Sequence, residues 1–291
     1  MMMGIVINTN VQSLNAQRLL GKNMMMQSKS YERLASGFKI NKSSDDAAGL
    51  QISENLRSNI RGNRRAGENI QDGINVLNVM DGTMQTIVDN IQRMRELTVQ
   101  AANDTYSSEQ RSAIQAEVSQ LSADIDRIAQ ATTFNGRKIF DGSISSYFLQ
   151  VGANANSAVD RINLANISGV NPFSSVNIRD VLGFATGSTS ALGFSSSQSA
   201  LVTLTRVDAA LQKIQNRRAA LGAMVNRLTA SATNIDISIE NLSASESRIR
   251  NTDVARESAE MTRNQILQQA SAQVLGQANQ IPQVALRLLG G

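Results

Sequence analysis

Two adjacent carboxylates, Asp45 and Asp46, come nearest in this sequence to the residues of an active site. Paired carboxylates act as general acid and general base when their surroundings separate their pKa values. However, Ser43 and Asp46 also have the spacing of a capping box, and acids at a helix start complement the positive end of the helix dipole. No other catalytic group converges on the pair. The sequence therefore predicts a helix start here and not an active site.

The residue types that the chain lacks exclude most other chemistry. Its 291 residues include no cysteine, no histidine and no tryptophan. Without a thiol or an imidazole there is no Ser-His-Asp or Cys-His catalysis, no Cys/His metal site and no disulfide framework. Only carboxylate, lysine or tyrosine chemistry stays open, and we expect no cofactor and no metal.

The charge of the chain is close to balanced. Lys and Arg total 28 against 24 Asp and Glu, so the net charge is only +4 although the pI is about 9.7. Aromatic residues, which stack on bases in many nucleic-acid binders, make up 3%. One basic stripe at helical spacing is best explained as a solvated face, or as ion pairs with Glu54, Glu68 and Asp72. Its members are Arg57, Arg61, Arg64 and Arg65.

A seven-residue repeat predicts a long helix from Leu56 onward. The repeat runs through two positions over about six heptads, which is typical of a coiled coil. It includes Asp72-Gly73 and Asp81-Gly82, which in isolation would favour turns. Six aligned heptads outweigh two dipeptides, and the small residues could admit a neighbouring helix. The two series are Leu56, Asn63, Ile70, Leu77, Met84 and Ile91, and Ala66, Gly73, Met80, Ile87, Met94 and Ala101.

A second long helix is predicted near the other end, and the two should pack on each other because an apolar stripe would otherwise face water. Asn63 and Arg218 interrupt the two repeats, and a polar residue at such a position often sets register or partner choice. An alternative is that the repeat is locally open to solvent at these residues. The second helix carries Val207, Ile214, Leu221, Leu228, Ile235, Leu242 and Ile249, with Leu204, Leu211, Val225, Ala232 and Ile239 in the companion position.

Shorter elements are predicted between these helices. Ser107 and Gln110 have capping-box spacing at the start of a third helix that ends near Ala131. Asn135-Gly136 favours a hairpin turn, and residues 147–151 favour a strand. The apolar face of the third helix contains Ile114, Val118, Leu121, Ile125 and Ile128.

Both ends of the chain are helix-prone, but their apolar residues show no strict heptads. Residues 5–34 and 251–289 are rich in Asn, Gln, Ser and Ala. Apolar helical faces without a partner in the main bundle suggest a partner in another copy. The six methionines Met24 to Met26, Met80, Met84 and Met94 are expected to fill the core.

Several motifs in this order resemble those of the bacterial flagellins. They cover both ends of the chain almost without gaps. The N-terminal motifs are Ile7-Asn8-Thr9-Asn10, Leu34-Ala35-Ser36-Gly37, Ser44-Asp45-Asp46-Ala47-Ala48-Gly49-Leu50, Gln92-Arg93-Met94-Arg95-Glu96-Leu97-Thr98-Val99-Gln100 and Phe134-Asn135-Gly136. The C-terminal motifs are Asn264-Gln265-Ile266-Leu267-Gln268-Gln269-Ala270 and Gln277-Ala278-Asn279-Gln280-Ile281-Pro282-Gln283.

The resemblance implies a fold and its layers. The chain should be mainly α, a coiled-coil bundle of long antiparallel heptad helices with a small β-hairpin or irregular central region, and with both termini helical and paired. Residues 1–47 with 250–291 would form the inner filament core. Residues 48–165 with 200–249 would form the rod, and 166–199 a short variable surface segment.

The resemblance also implies a function. The chain would be a structural subunit and not an enzyme, polymerising with copies of itself into the extracellular flagellar filament. It would be exported unfolded by the flagellar type III pathway, with an export chaperone, the filament cap and hook-junction proteins as partners. The first residues do not form a secretory signal, and no apolar stretch is long enough to span a membrane. The alternatives are a flagellin-like hook–filament junction protein and, from different classes, a basic coiled-coil nucleic-acid organiser or a secreted enzyme.

Two sets of residues take roles from this resemblance. Arg93, Leu97 and Glu117 match positions through which a host Toll-like receptor senses such proteins. Arg93 and Leu97 share a helix face that should point away from the heptad core and leave both side chains free. Inner-core assembly is assigned to Ile266, Leu267, Val274, Leu275, Leu286 and Leu288.

Overall fold

The computed structural model describes residues 9–142, 144, 146–156, 158–165, 172 and 193–289, with 282–289 described by backbone alone. Helices contain 77% of these residues, so the prediction of a mainly α fold with a small β region is confirmed. In chain order the elements are α1 (Val11–Ser36), α2 (Ala47–Ala101), α3 (Ser108–Ala131), β1 (Thr133–Phe134), β2 (Arg137–Lys138), β3 (Phe148–Gln150), β4 (Arg161–Asn163), α4 (Ser197–Arg250) and α5 (Val254–Leu289).

The chain forms two compact units. One comprises residues 59–240, and the other comprises residues 1–58 together with 241–291. The predicted layers of a filament, with their bounds at 47/48 and 249/250, stay a prediction. Most of the predicted surface segment 166–199, and the start of the chain at Met1 to Met3, lie outside the described residues.

The α2 helix fills the core of the first unit with the predicted heptad residues. Asp72-Gly73 and Asp81-Gly82 lie inside the helix, so neither dipeptide forms a turn. Burial of the repeat stabilises the helix more than two glycines destabilise it, at about 1 kcal/mol each relative to alanine. The residues that are at most 1% exposed include Ile70, Leu77, Met80, Met84, Ile87, Ile91 and Met94.

The α4 helix confirms one predicted series as far as Ile235 and alters the other. Val207, Ile214 and Leu221 are at most 1% exposed, whereas the last members, Leu242 and Ile249, are half-buried. The predicted companion residues three positions earlier are only half-buried. Ala210 and Met224, three positions later, are the buried neighbours instead. A row of apolar residues on a helix has neighbouring residues on both sides, three positions before and three positions after. The spacing alone does not show which of these two sets the packing partner covers.

The α3 helix begins as predicted. The Ser107 hydroxyl accepts from the Gln110 backbone N–H, and the Gln110 side chain accepts from the Ser107 N–H, so the capping box is complete. Ile114, Val118 and Ile125 are buried against the core of the unit.

Two short hairpins connect α3 to α4. Asn135 and Gly136 have φ of 47° and 75°, the left-handed pair that a type I′ turn requires, and they join β1 to β2. The β3 strand lies within the predicted 147–151 segment and pairs antiparallel with β4. The sequence did not predict β4, because three residues are too few to show an alternating pattern.

Glycines of α2 admit the second hairpin, and Gly73 also faces a neighbouring helix, because its Cβ would lie 3.5 Å from the Leu228 side chain of α4. A Cβ at Gly73 would lie 2.6 Å from the Leu149 side chain of β3. A Cβ at Gly62 would lie 2.7 Å from Cβ of Ala153, which follows the same strand. The missing side chains therefore let the hairpin lie directly on the helix backbone. In the part of the chain that the structure describes, no helix is apolar enough over sufficient length to cross a membrane.

Candidate assembly surfaces

The helices α1 and α5 pack through small and polar side chains, most of which recur every seven residues. We call this contact the polar seam. Its residues are buried although few are apolar, so the heptad pattern of the chain ends is present but is not a hydrophobic one. The seam comprises Ser13, Ala16, Asn23 and Ser30 on α1 and Glu257, Asn264, Ser271 and Ala278 on α5, of which only Ser271 is half-buried.

Hydrogen bonds and an ion pair connect the two helices along the seam. Such polar contacts fix register and orientation more than they add stability. Because each has a single matching partner, a slip of one turn would leave several buried groups unpaired. The contacts are Asn10 Nδ2 to Ala278 O at 2.7 Å, Ser13 Oγ to Asn279 Oδ1 at 2.7 Å, Asn23 Nδ2 to Ser271 Oγ at 2.9 Å, and Arg33 to Glu257 at 3.5 Å.

Outside the residues of the polar seam, both helices carry large apolar side chains in solvent. Large apolar residues gathered in solvent mark a surface that another molecule covers. We call these the outward faces. They comprise Val11, Leu14, Leu19, Met24, Met25 and Tyr31 on α1, and Val254, Ile266, Leu267, Val274 and Ile281 on α5, each between 40% and 70% exposed.

The residues assigned to inner-core assembly lie mainly on the outward face of α5. Ile266, Leu267 and Val274 are 60%, 42% and 55% exposed, and Leu275 is half-buried. The side chains of Leu286 and Leu288 lie outside the described residues. Three of the six are therefore available to a partner in the single chain.

The prediction that all the methionines fill the core is wrong for α1. Met80, Met84 and Met94 are fully buried, whereas Met24 and Met25 are 50% and 70% exposed. The buried face of α1 is set by the polar seam. Each residue advances about 100° around a helix, so Met24 and Met25 lie about 100° and 200° from Asn23, to the side of the seam and opposite it.

A short backbone bridge closes the base of the α1–α5 pair. Gly37 ends α1 with φ of 74°, the left-handed conformation that favours glycine at this position. Its carbonyl accepts from Thr252 N–H at 2.9 Å, and Lys39 N–H donates to Arg250 O at 2.7 Å. The segments before α2 and after α4 are thus paired like two edge strands.

The Phe38 ring lies between two guanidinium groups beside this bridge. Arg57 and Arg250 approach its centre to 5.9 and 4.9 Å, which is cation–π distance. Arg250 also pairs with Glu54 and lowers the pKa of that carboxyl. Ion pairing of the basic stripe is confirmed for Arg57 with Glu54 at 3.5 Å and for Arg65 with Glu68. Arg57 also contacts Glu246 at 3.5 Å.

Asp45 and Asp46 have different roles, which the sequence did not predict. Asp46 alone caps α2, accepting from Gly49 N–H at 2.9 Å, so the expected cap at Ser43 is wrong. Asp45 is bound by Lys29 of α1 at 2.7 Å and by the backbone N–H groups of Asn41 and Lys42 at 3.2 Å. The Lys29 ammonium, assisted by those N–H groups, holds the pKa of Asp45 at about 2.

The two polar interruptions of the heptads both find partners across the α2–α4 contact. Arg218 binds Asp81 with Nε to Oδ1 at 2.8 Å and also donates to Gln85. Asn63 Nδ2 donates to Ser238 Oγ at 3.3 Å. Since each contact joins one helix to the other, neither residue is an unpartnered gap in the repeat.

Arg93 and Glu117 come together on the surface of α2 and α3. The Arg93 guanidinium lies 3.0 and 3.2 Å from Glu117 Oε1, and it also contacts Glu96 at 3.1 Å. Glu117 raises the pKa of Arg93 above its ordinary value. The expectation that Leu97 is free is wrong, because its side chain is 3% exposed and continues the α2 row beyond Met94.

A cleft of about 800 Å³ lies beside the two hairpins. Among the described residues that line it, Asp72 is the sole carboxylate, next to Phe134, Tyr147 and Phe148. A hydrolytic site of the paired-carboxylate type needs a second acid within reach. Within the described residues no group of His, Cys, Asp and Glu could hold a metal ion.

Comparison with known proteins agrees with the arrangement of two terminal helices and a heptad bundle. The family description "bacterial flagellin N-terminal helical region" matches residues 7–145, and "bacterial flagellin C-terminal helical region" matches residues 204–289. The chain belongs to the bacterial flagellins. It is therefore a structural subunit of the extracellular flagellar filament, which serves motility, and not an enzyme.

Relatives extend over nearly the whole chain. A flagellin of Halalkalibacterium halodurans is 40% identical over 98% of this chain and 100% of its own. The flagellar filament 33 kDa core protein of Treponema phagedenis is 41% identical over the same shares. A hook-associated protein structure from Vibrio parahaemolyticus covers 71% of this chain and 100% of its own, with a TM-score of 0.54 and 14% identity, so it is similar in fold alone.

Sequence reasoning missed the polar seam of this flagellin. A search for apolar heptads passes over Asn23, Ser30 and Asn264 because their side chains are hydrophilic. The available signal was the seven-residue spacing of Glu257, Asn264, Ser271 and Ala278, combined with a matching spacing on α1.

Proposed function

We propose that the outward faces of α1 and α5 are the surfaces through which copies of this flagellin polymerise into the inner layer of the filament. The single observation that supports this is the number of large apolar residues in solvent on a helix pair whose mutual contact is polar. Burying apolar surface is favourable by about 25 cal/mol per Å². Contacts between copies that cover these faces would therefore be stabilised far more by apolar burial than the polar contact between α1 and α5 is.

Ile266 and Leu267 are the residues on which the test is designed. Replacing both with serine removes apolar surface from an exposed helix face, so the monomer should keep its helix content. Polymerisation should fall by at least about tenfold, because each buried Leu or Ile side chain contributes on the order of 1.5–3 kcal/mol. The matched control is Val159→Ser, which removes an apolar side chain that is 71% exposed but lies outside these helices.

Electron microscopy and sedimentation of purified subunits would measure the effect. The double variant should stay in the supernatant while the Val159 variant forms tubes like the wild type. Normal filaments from the double variant would overturn the proposal.

Export of the unfolded chain through the flagellar type III pathway is a further part of the proposal. An export chaperone, the filament cap and hook-junction proteins are the partners implied by the family. The absence of cysteine supports it, because no crosslink hinders threading. Fusing a domain that resists unfolding to the chain should stop secretion, whereas a readily unfolded fusion of equal length should pass. Equal secretion of both would contradict this part.

A host Toll-like receptor is proposed to recognise the Arg93–Glu117 pair. Both side chains are about half exposed, whereas Leu97 would act from beneath by holding α2 in place. Arg93→Ala with Glu117→Ala should weaken receptor binding by the monomer and leave its melting temperature nearly unchanged, since exposed pairs contribute about 0–1 kcal/mol. Undiminished binding by the double variant would contradict recognition here.

A further inference from the structure

The described methionines of this chain differ widely in exposure. Those of the heptad core, Met80, Met84, Met94 and Met224, are at most 2% exposed. Met24 and Met25 lie next to each other on α1 at 50% and 70% exposure, and Met25 is the more accessible of the two. Met26 and Met261 are half-buried.

The helix surface on the N-terminal side of the exposed pair is uncrowded. The next turn toward the N-terminus contains Gly21, and nothing lies within 4 Å of the place where its Cβ would be. Side chains on a helix lean toward the preceding turn, so Met24 and Met25 extend over the position where that glycine offers no cover. Because half or more of each residue is exposed, both are open to a small oxidant in the surrounding water.

We propose that Met24 and Met25 form an oxidisable site on the outward face of α1, where peroxide converts two thioethers into sulfoxides and prevents the free subunit from assembling. The inference rests on the proposed function, because it requires that this face is buried in the filament. The core methionines are protected by their burial and are not part of the site.

The chemistry needs one peroxide for each methionine. The sulfur lone pair attacks one peroxide oxygen, an S–O bond forms and the O–O bond breaks. The sulfur is oxidised by two electrons, and hydrogen peroxide is reduced to water after proton transfer. The product is a polar, chiral sulfoxide in place of a flexible apolar side chain.

A sulfoxide on an assembly face has little effect on the free subunit but is unfavourable in the filament. In the monomer its oxygen is hydrated, so folding is unaffected. In an apolar contact the oxygen loses its water without a partner, which is unfavourable for a strong acceptor. Assembly should therefore be lost while the helix content of the monomer is kept, and filaments formed before exposure should be protected.

The experiment treats purified full-length subunits with hydrogen peroxide and maps the added oxygen by peptide mass spectrometry. Met24 and Met25 should be oxidised at least about tenfold faster than Met80, Met84 and Met94, because susceptibility follows exposure. The same treatment of assembled filaments should spare Met24 and Met25. Equal oxidation of surface and core methionines in the monomer would overturn the inference.

Variants then connect the modification to assembly. Met24→Leu with Met25→Leu keeps the apolar surface, so these subunits should polymerise both before and after peroxide. The control Met261→Leu should behave as the wild type and lose assembly after peroxide. Methionine sulfoxide reductases for the two epimers should restore assembly of the oxidised wild type.

Two failures can be told apart. Normal polymerisation of wild-type subunits that carry sulfoxide at both positions would overturn this inference alone, as would equal loss of assembly by the double-leucine variant after peroxide. Normal polymerisation of the Ile266 and Leu267 serine variant would instead overturn the proposed function.

Discussion

Asp45 shows how one carboxylate can hold the turn between α1 and α2. Its side chain is 14% exposed and binds an ammonium from one helix and two backbone N–H groups of the connecting segment. Nothing in the sequence distinguishes it from Asp46, because both are acids before a helix. Only the position of Lys29, sixteen residues earlier, separates the two roles.

Protonation of Asp45 should weaken this connection. Its pKa is lowered from 3.8 to about 2, so its contribution to stability is complete above pH 4 and is lost as the pH falls toward 2. Asp45→Asn should lower the melting temperature at pH 7 and have little effect near pH 2. Thermal melts followed by circular dichroism would measure this, with Asp104→Asn as a control whose carboxylate is 87% exposed. An equal effect at both pH values would contradict the prediction.

Arg218 should set the register of α2 against α4 through Asp81. A double-mutant cycle with Arg218→Ala and Asp81→Ala should give a coupling of about 0.5–1 kcal/mol in urea unfolding, because the contact has two hydrogen bonds and a partly buried guanidinium.

The matched cycle uses Arg95 and Asp208, a 2.6 Å contact between side chains that are 48% and 42% exposed. Screening by water should reduce its coupling to about 0–0.5 kcal/mol. Equal couplings in the two cycles would show that Arg218 has no special part in register.

At the scale of helices, the sequence predicted those elements whose position is determined by the burial of apolar side chains. Six heptads were enough to identify α2 through two Asp-Gly dipeptides. The same criterion misplaced Leu97 and the methionines of α1, because spacing gives the relative direction of side chains and not which direction the partner occupies. It missed the polar seam, where spacing is regular but the side chains are hydrophilic.

Replacing Gly62 or Gly82 of α2 with alanine should change stability in opposite directions. Gly62→Ala should destabilise the first unit, because the new Cβ would also lie 3.2 Å from the Ala153 Cα, a backbone atom that moves with the hairpin. Gly82→Ala, with open space around it, should stabilise α2 by about 0.5–1 kcal/mol. Thermal denaturation of both monomers would measure this, and stabilisation by both variants would contradict close packing at Gly62.

At the scale of the whole molecule, the two units should unfold separately. Residues 59–240 contain a continuous apolar core, whereas the α1–α5 pair is held by a polar seam that buries little hydrocarbon. Heating the monomer should therefore melt α1 and α5 first, which have 26 and 36 residues, and the bundle at a higher temperature. Circular dichroism with limited proteolysis would show two steps, and a single transition with simultaneous cleavage would contradict this.

Tyr31, half exposed on the outward face of α1, makes this flagellin its own optical probe. The chain has three tyrosines and no tryptophan, so its near-ultraviolet emission comes from phenol rings alone. Replacing Tyr106 and Tyr147 by phenylalanine would leave one emitting ring, placed where a neighbouring subunit is proposed to dock. Iodide in the buffer would quench that ring in free subunits and lose access to it as filaments grow, so the growth of an unlabelled filament could be followed in real time by light.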